Sequence, residues 1–282
     1  MEFTGTDIVT QLLTGIAAVI LLYIAMAMAE YLYKSFMHMW RDRVELFPDT
    51  YVSGAKMFTA IQNPNNPKSK MAQLSDNQRS GVEFSYSMFI NLDSATFSSG
   101  TAKLHHIMHK GYGQFFPLMG PGVFCWGNKN TLRIYMNSYH TWNEYTEIDN
   151  IPVDNWFHLT ISCKGTTVYI YINGNLKQKI KMSDNTPPYQ NYGDVYLFSG
   201  RKKTIMQSSV TSLGDEESLT FDGAAKGMAS RVFYFSYALT YSEIQALMNM
   251  GPSSKVNGAN ASVMTPYLSD TWWTTNGTQL SN

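Results

Sequence analysis

Two carboxylates set two residues apart, Glu147 and Asp149, are the side chains whose type and spacing most suggest chemistry. On a strand they share one face. A pair of carboxylates about 5 Å apart can serve as acid and nucleophile toward a glycosidic bond. Ile151-Pro152 follow shortly after them. Glu147 and Asp149 therefore read as surface residues before a turn, and no catalytic residue is expected. His105, His106 and His109 raise the question of a metal. On a regular strand His105 and His109 share a face and His106 opposes them. Zinc takes three or four convergent ligands, and no carboxylate or cysteine lies nearby in sequence to complete a set. The three read as exposed or packing histidines at a strand edge, and no metal site is expected. His158 reads as a packing residue, and neither cysteine nor any serine has the surroundings of a nucleophile.

These residues lie in a chain whose period is two from Val82 onward. In the segment from Val82 to Leu92, Phe84, Tyr86, Met88, Ile90 and Leu92 fall on one face and Ser85, Ser87 and Asn91 on the other, a strand. Leu132, Ile134 and Met136 alternate with Arg133, Tyr135 and Asn137. Phe157, Leu159, Ile161 and Cys163 line up likewise. Val168, Ile170 and Ile172 lead to Asn173-Gly174, the dipeptide that tolerates positive φ in a tight hairpin. The return strand points Leu176, Ile180 and Met182 inward and Lys177, Lys179 and Lys181 outward. Residues 193–200 and 227–237 supply two more strands. One short late helix is signalled by Thr240 and Glu243 as a capping box, by Ile244, Leu247 and Met248 on one face, and by Gly251-Pro252 as a stop. Many short strands with one helix predict an all-β antiparallel jelly-roll sandwich over 81–252.

Ahead of it, no residue between Asp7 and Glu30 is charged. Residues 8–29 are predicted to form a transmembrane helix of about 30 Å, carried by Ile8, Leu12, Leu13, Ile16, Val19, Ile20, Leu21, Leu22 and Ile24. A cleaved signal peptide would need a basic start and an apolar run of only about 7–15 residues, whereas this N-terminus carries Glu2 and Asp7. Tyr31 and Trp40 fit an interfacial belt, and Lys34, Arg41 and Arg43 place the C-terminal side in the cytosol. Residues 1–7 form a short tail, and residues 30–80 are expected to be a juxtamembrane segment and extended stalk, with one edge strand between Tyr51 and Ala60. Residues 253–282 are a tail packing on or extending from the sandwich.

Lys and Arg number 21 and so do Asp and Glu, so the net charge is zero. A nucleic-acid binder would show a basic stripe, and none is expected as a partner. Cys125 and Cys163 are too few for a disulfide framework and read as buried thiols.

The stretches NWFHLTIS and TTVYIYINGNLKQ, GMASRVFYFSYALTYSEIQAL and GVEFSYSMFINL resemble the laminin-G-like jelly roll of the concanavalin A-like lectin/glucanase superfamily, over roughly 80–252. That resemblance implies the sandwich. Its glucanases carry E-x-D-x-x-E, of which only Glu147 and Asp149 are present here. Many laminin-G domains bind calcium, for which Asp93, Asp184, Asp194 and Asp222 lie near loops; no other cofactor is expected. The stretches QNPNNPKS, HHIMHKG, PPYQNYGDVYLFSG and TPYLSDTWW further resemble membrane-anchored members encoded by large nucleocytoplasmic DNA viruses. This implies a minor capsid or virion membrane protein, with the lipid bilayer and capsid or other virion proteins as partners. A glycan-binding module and a degenerate glucanase-like domain are the alternatives. Candidate glycan or partner contacts are Trp126, Tyr139, Trp142, Tyr189 and Tyr192, with Trp272 and Trp273 in the tail.

Overall fold

A computed structural model describes residues 5–54, 56–75 and 82–257. It divides into two units, residues 1–43 and 44–282. The first contains α1 (Gly5–Arg41). Within it Ile8–Tyr33 has a mean hydropathy of 2.4 and buries none of its side chains against protein, and it is long and apolar enough to cross a membrane. At 1.5 Å per residue it reaches about 39 Å. All nine predicted anchor residues are exposed, as is Tyr31. Lys34, Trp40 and Arg41 lie on the same helix, but their side chains fall outside the described residues.

The second unit is a two-sheet sandwich. In chain order its strands are β1 (Arg43–Val52), β2 (Phe58–Ala60), β3 (Glu83–Leu92), β4 (Leu104–Gly111), β5 (Gly122–Trp126), β6 (Thr131–Met136), β7 (Glu144–Asp149) and β8 (Phe157–Lys164). There follow β9 (Thr167–Ile172), β10 (Asn175–Lys181), β11 (Asp194–Leu197), β12 (Lys202–Met206), β13 (Ser218–Ala224), β14 (Gly227–Phe235), α2 (Tyr241–Asn249) and β15 (Val256–Asn257). One sheet runs β10-β9-β8-β3-β14-β1-β15 and the other β12-β13-β4-β5-β6-β7, with β11 joining β4 to β2. Most pairs are antiparallel; β1–β15 and β4–β13 are parallel. The core between the sheets takes alternate residues of the strands that line it, Phe84, Tyr86, Met88, Ile90 and Leu92 from β3 among them. Residues whose period is two can bury one face this way.

The other face of β3 and β8 is also buried, beneath α2 and its flanks. Ser85 Oγ donates to Tyr237 O at 2.9 Å, lies 2.9 Å from the Ser162 hydroxyl, and accepts the Leu239 N–H at 3.0 Å. The capping box of α2 forms as expected, Glu243 Oε2 accepting the Thr240 N–H at 2.8 Å. The Asn173-Gly174 turn has positive φ at both residues, 49° and 73°.

Three expectations differ from the structure. The stretch read as a stalk contributes β1 to the first sheet, with Leu46, Phe47 and Tyr51 in the core. Only β2 matches the expected edge strand. Pro48 and the adjacent Leu46-Phe47 blur the alternation of β1, and a proline is tolerated near a sheet edge. In β10 the register shifts between Leu176 and Gln178, so Leu176 is 45 % exposed while Ile180 and Met182 are buried. The residues of β4 depart from simple alternation at a bulge between His106 and Met108. Trp272 and Trp273 lie outside the described residues.

Candidate functional site

The outer face of the second sheet carries the residues that looked reactive. Arg133 on β6 and Glu147 on β7 are directly paired, as are Thr131 and Asp149. Asp149 accepts the Thr131 hydroxyl at 2.6 Å and is exposed before the turn at Asn150. Glu147 is half-buried and heavily bonded. The Trp126 indole N–H and the Arg133 Nε–H donate to its Oε1 at 2.6 and 2.8 Å, and Lys129 Nζ donates to Oε2 at 2.7 Å. Burial alone would raise its pKa, but the hydrogen bonds from Lys129, Trp126 and Arg133 outweigh it and hold the carboxyl below its ordinary range.

Arg133 is the hub of this cluster. Its side chain is only 5 % exposed. Its guanidinium carbon lies 4.6 Å from the Trp126 ring centre and 4.2 Å from that of Tyr145, a cation between two aromatic rings. Its Nη1 donates to the Tyr135 hydroxyl at 3.0 Å and to Glu216 Oε1 at 2.8 Å. Burial disfavours its charge, but Tyr135, Glu216 and Glu147 more than compensate and keep it ionised. Glu216 is a second carboxylate that the sequence reading did not find. It comes from the segment between β12 and β13, and both it and Glu147 bond the same guanidinium. A hydrolytic pair needs one carboxyl with a raised pKa to donate a proton; Glu147 is shifted the other way.

His106 and His109 occupy the same face of the sheet, His106 packing on Phe124, the register partner of Arg133. The bulge brings His106 and His109 together, correcting the expectation that His105 and His109 share a face. Both are buried, with His106 Nε2 and His109 Nδ1 2.7 Å apart. The Ser199 N–H donates to His106 Nδ1 at 2.8 Å, which makes Nε2 the protonated nitrogen of a neutral ring and the donor to His109. His109 then donates from Nε2 to Tyr112 O at 2.9 Å. Every ring nitrogen is satisfied with both rings neutral. Burial lowers the pKa of His109 to about 4 and that of His106 well below its ordinary value. Phe115 and Tyr196 pack on His109, the latter stacked at 4.9 Å. His105 is half-buried, with Nδ1 3.0 Å from Asp222 O. Among the described residues no three His, Cys, Asp or Glu side chains gather as a metal site. Asp93 caps a 3-10 turn, Asp194 accepts the Gln62 N–H, and Asp222 pairs with Lys103 and Lys202. The side chain of Asp184 falls outside the described residues. Cys125 and Cys163 are buried free thiols, and burial pushes Cys163 up to about 12.

Four of the five described candidate aromatics lie in two loops at one end of the second sheet, the β6–β7 and β10–β11 connections, beside the β4–β5 connection. Tyr139 and Tyr189 meet edge to face at 5.3 Å, Trp142 packs on Phe116 at 5.1 Å, and Tyr192 is 71 % exposed. Asn137 ties these loops. It accepts the Met119 N–H at 3.0 Å, donates to Pro117 O at 3.0 Å and Trp142 O at 2.7 Å, and its carbonyl takes the Tyr189 N–H at 2.8 Å. Buried Lys110 donates to Asn191 O and Gly193 O, both at 2.7 Å. Burial lowers the Lys110 pKa to about 8, with Asp194 acting the other way. Trp126 stands apart, at the far end of β5.

The two-layer topology is that of a jelly-roll sandwich. Residues 66–245 match the Laminin_G_3 family, described as the concanavalin A-like lectin/glucanases superfamily, and the chain belongs to that superfamily. No curated protein sequence matches it significantly. Among solved structures, the receptor binding domain of botulinum neurotoxin D is similar at 12 % identity and a TM-score of 0.47, over 71 % of this chain and 43 % of that one. The binding domain of botulinum neurotoxin DC in complex with SialylT is similar at 16 % identity and a TM-score of 0.40, over 60 % of this chain and 35 % of that one. The chain thus spans less than half of either structure.

Proposed function

We propose that this chain is a non-enzymatic, membrane-anchored structural protein. In this reading its sandwich contacts a protein shell outside an internal virion membrane. The observation that carries the non-enzymatic part is the state of Glu147: three donors converge on it, a guanidinium stands between it and Glu216, and its proton affinity is lowered. The helix Ile8–Tyr33 supports the anchor, because apolar side chains with no protein around them are stabilised by lipid. The basic residues that follow it favour a cytosolic sandwich. The viral assignment of the partner rests on the sequence stretches quoted above. Full-length chain should stay with membranes through alkaline carbonate extraction and should be found in purified virions. Extraction into the soluble fraction would remove the anchor, and absence from particles would remove the shell.

A glycan-binding module is the second reading, favoured by the exposed Tyr139 and Tyr192 on loops held rigid by Asn137. A glycan array on the full chain, with Trp142→Ala and Tyr139→Ala as controls, separates the two. Saturable binding lost in both variants supports the glycan reading.

A further inference from the structure

A groove of about 510 Å³ lies between the edges of the two sheets, away from the face described above. Its floor is an aromatic row, Phe47 edge-on to Tyr51 at 5.3 Å and Tyr51 edge-on to Phe58 at 4.9 Å. Its rim carries Lys56, Lys68 and Lys70. The volume is within the range of sites that enclose a ligand. On the β1 side, β15 pairs only with Thr50 and Tyr51. Asn257, the last described residue, itself lines the groove.

The chain therefore leaves the described region at the lip of this groove. Residues 258–282 contain no lysine or arginine. They contain Asp270 and the apolar residues Tyr267, Leu268, Trp272 and Trp273. A double tryptophan buries a large area wherever it finds a partner, and the lysine rim complements an acidic rather than a basic segment. The tether is short. Nine residues separate Asn257 from Tyr267, a reach of up to about 30 Å. A segment so attached has an effective concentration on the order of millimolar at the groove, so even weak affinity fills it.

We propose that the segment Tyr267–Trp273 of the same chain occupies this groove, with its indole rings over Phe47, Tyr51 and Phe58 and Asp270 toward the lysines. In that position the two tryptophans serve their own chain instead of a partner.

The test is disulfide trapping in the full-length chain in detergent. Lys68→Cys is combined with Ser269→Cys; Lys68 is exposed, so the fold is retained, and the native thiols are buried. The control combines Ser269→Cys with Lys177→Cys, exposed on β10 at the opposite edge of the first sheet. The 68–269 bond should form within one chain at least about tenfold faster than the control, independent of protein concentration. Adding Trp272→Ala and Trp273→Ala should slow the 68–269 bond several-fold, to the rate that the tether alone supports; an unchanged 68–269 rate would overturn the proposal. Equal rates for the two pairs would overturn the proposal. So would a 68–269 bond that joins isotopically distinct chains after mixing, which would make a second copy the occupant.

Discussion

The guanidinium–carboxylate cluster on β5–β7 and the histidine pair on β4 share one face of one sheet, yet they accommodate polar groups in opposite ways. Around Arg133 the charges are kept and compensated: two carboxylates, two aromatic rings and a phenol surround one cation. Around His106 the charges are removed: two neutral rings pass hydrogen bonds from the Ser199 amide to the Tyr112 carbonyl. The difference follows burial. Glu147 and Glu216 keep about a quarter of their side-chain surface in water, at 25 and 28 %, whereas both histidines are inaccessible. A fully buried ion is costly unless paired, so the deeper site is neutral. Both sites contain residue types used in catalysis, and both have their hydrogen-bonding capacity directed at the protein itself.

This contrast should be most visible in acid. His109 and His158 have folded pKa values of about 4, against ordinary values of 6.5. The unfolded chain takes up protons that the folded chain refuses, so stability is full above pH 6.5 and falls as the pH drops toward 4. Each of these two buried groups would cost about 3 kcal/mol at pH 4. The Glu147 cluster contributes only at the acid end of that window, because a carboxyl with a depressed pKa starts to lose stability where the unfolded carboxyl is protonated, near 4.5. Thermal unfolding followed from pH 8 to pH 4 checks this; a melting temperature that does not fall on acidification would contradict the neutral pair.

Removing the hub comes next in size. Arg133→Met leaves two carboxylates without their shared cation and should cost about 3 kcal/mol, since breaking a largely buried pair from one side strands the other charges. His106→Phe keeps the ring volume but deprives the Ser199 amide and His109 Nδ1 of partners, and should cost about 2 kcal/mol. Chemical denaturation of both variants at pH 7.5 ranks them. At pH 4.5 the His106→Phe deficit should shrink, because wild type also loses stability there, while the Arg133→Met deficit should persist. Lys129→Ala is the smallest change. Lys129 is 45 % exposed, and its ion pair with Glu147 should be worth less than about 1 kcal/mol.

Much of the fold is legible in the sequence wherever its cause is local. The alternation in β3 and β8–β9, the Asn173-Gly174 turn and the capping box of α2 each depend on neighbours within a few residues, and each forms as read. β1 is hidden because its partners β14 and β15 lie some two hundred residues away, and Pro48 interrupts its pattern. The site is less legible than the fold. Glu147 and Asp149 do share a face, but what Glu147 meets is set by Trp126, Lys129 and Arg133. Glu216 reaches that cluster only because the β12–β13 connection folds over the sheet. One extra residue in β4 reverses the facing of the histidines, and nothing in the sequence HHIMHKG announces the bulge. Among the aromatics, Tyr139 and Tyr189 converge through Asn137, a residue the sequence marks only as one polar position in an alternating strand.

The most direct measurement is the titration of the Glu147 carboxyl in the folded full-length chain, followed by carbon-13 NMR with Glu147→Gln as the assignment control. A pKa below 4.5, rising when Arg133 is replaced by Met, is the expected result. A Glu147 pKa of about 6 or higher would mark a proton-donating acid of the glycosidase kind, and a non-catalytic sandwich could not then be maintained.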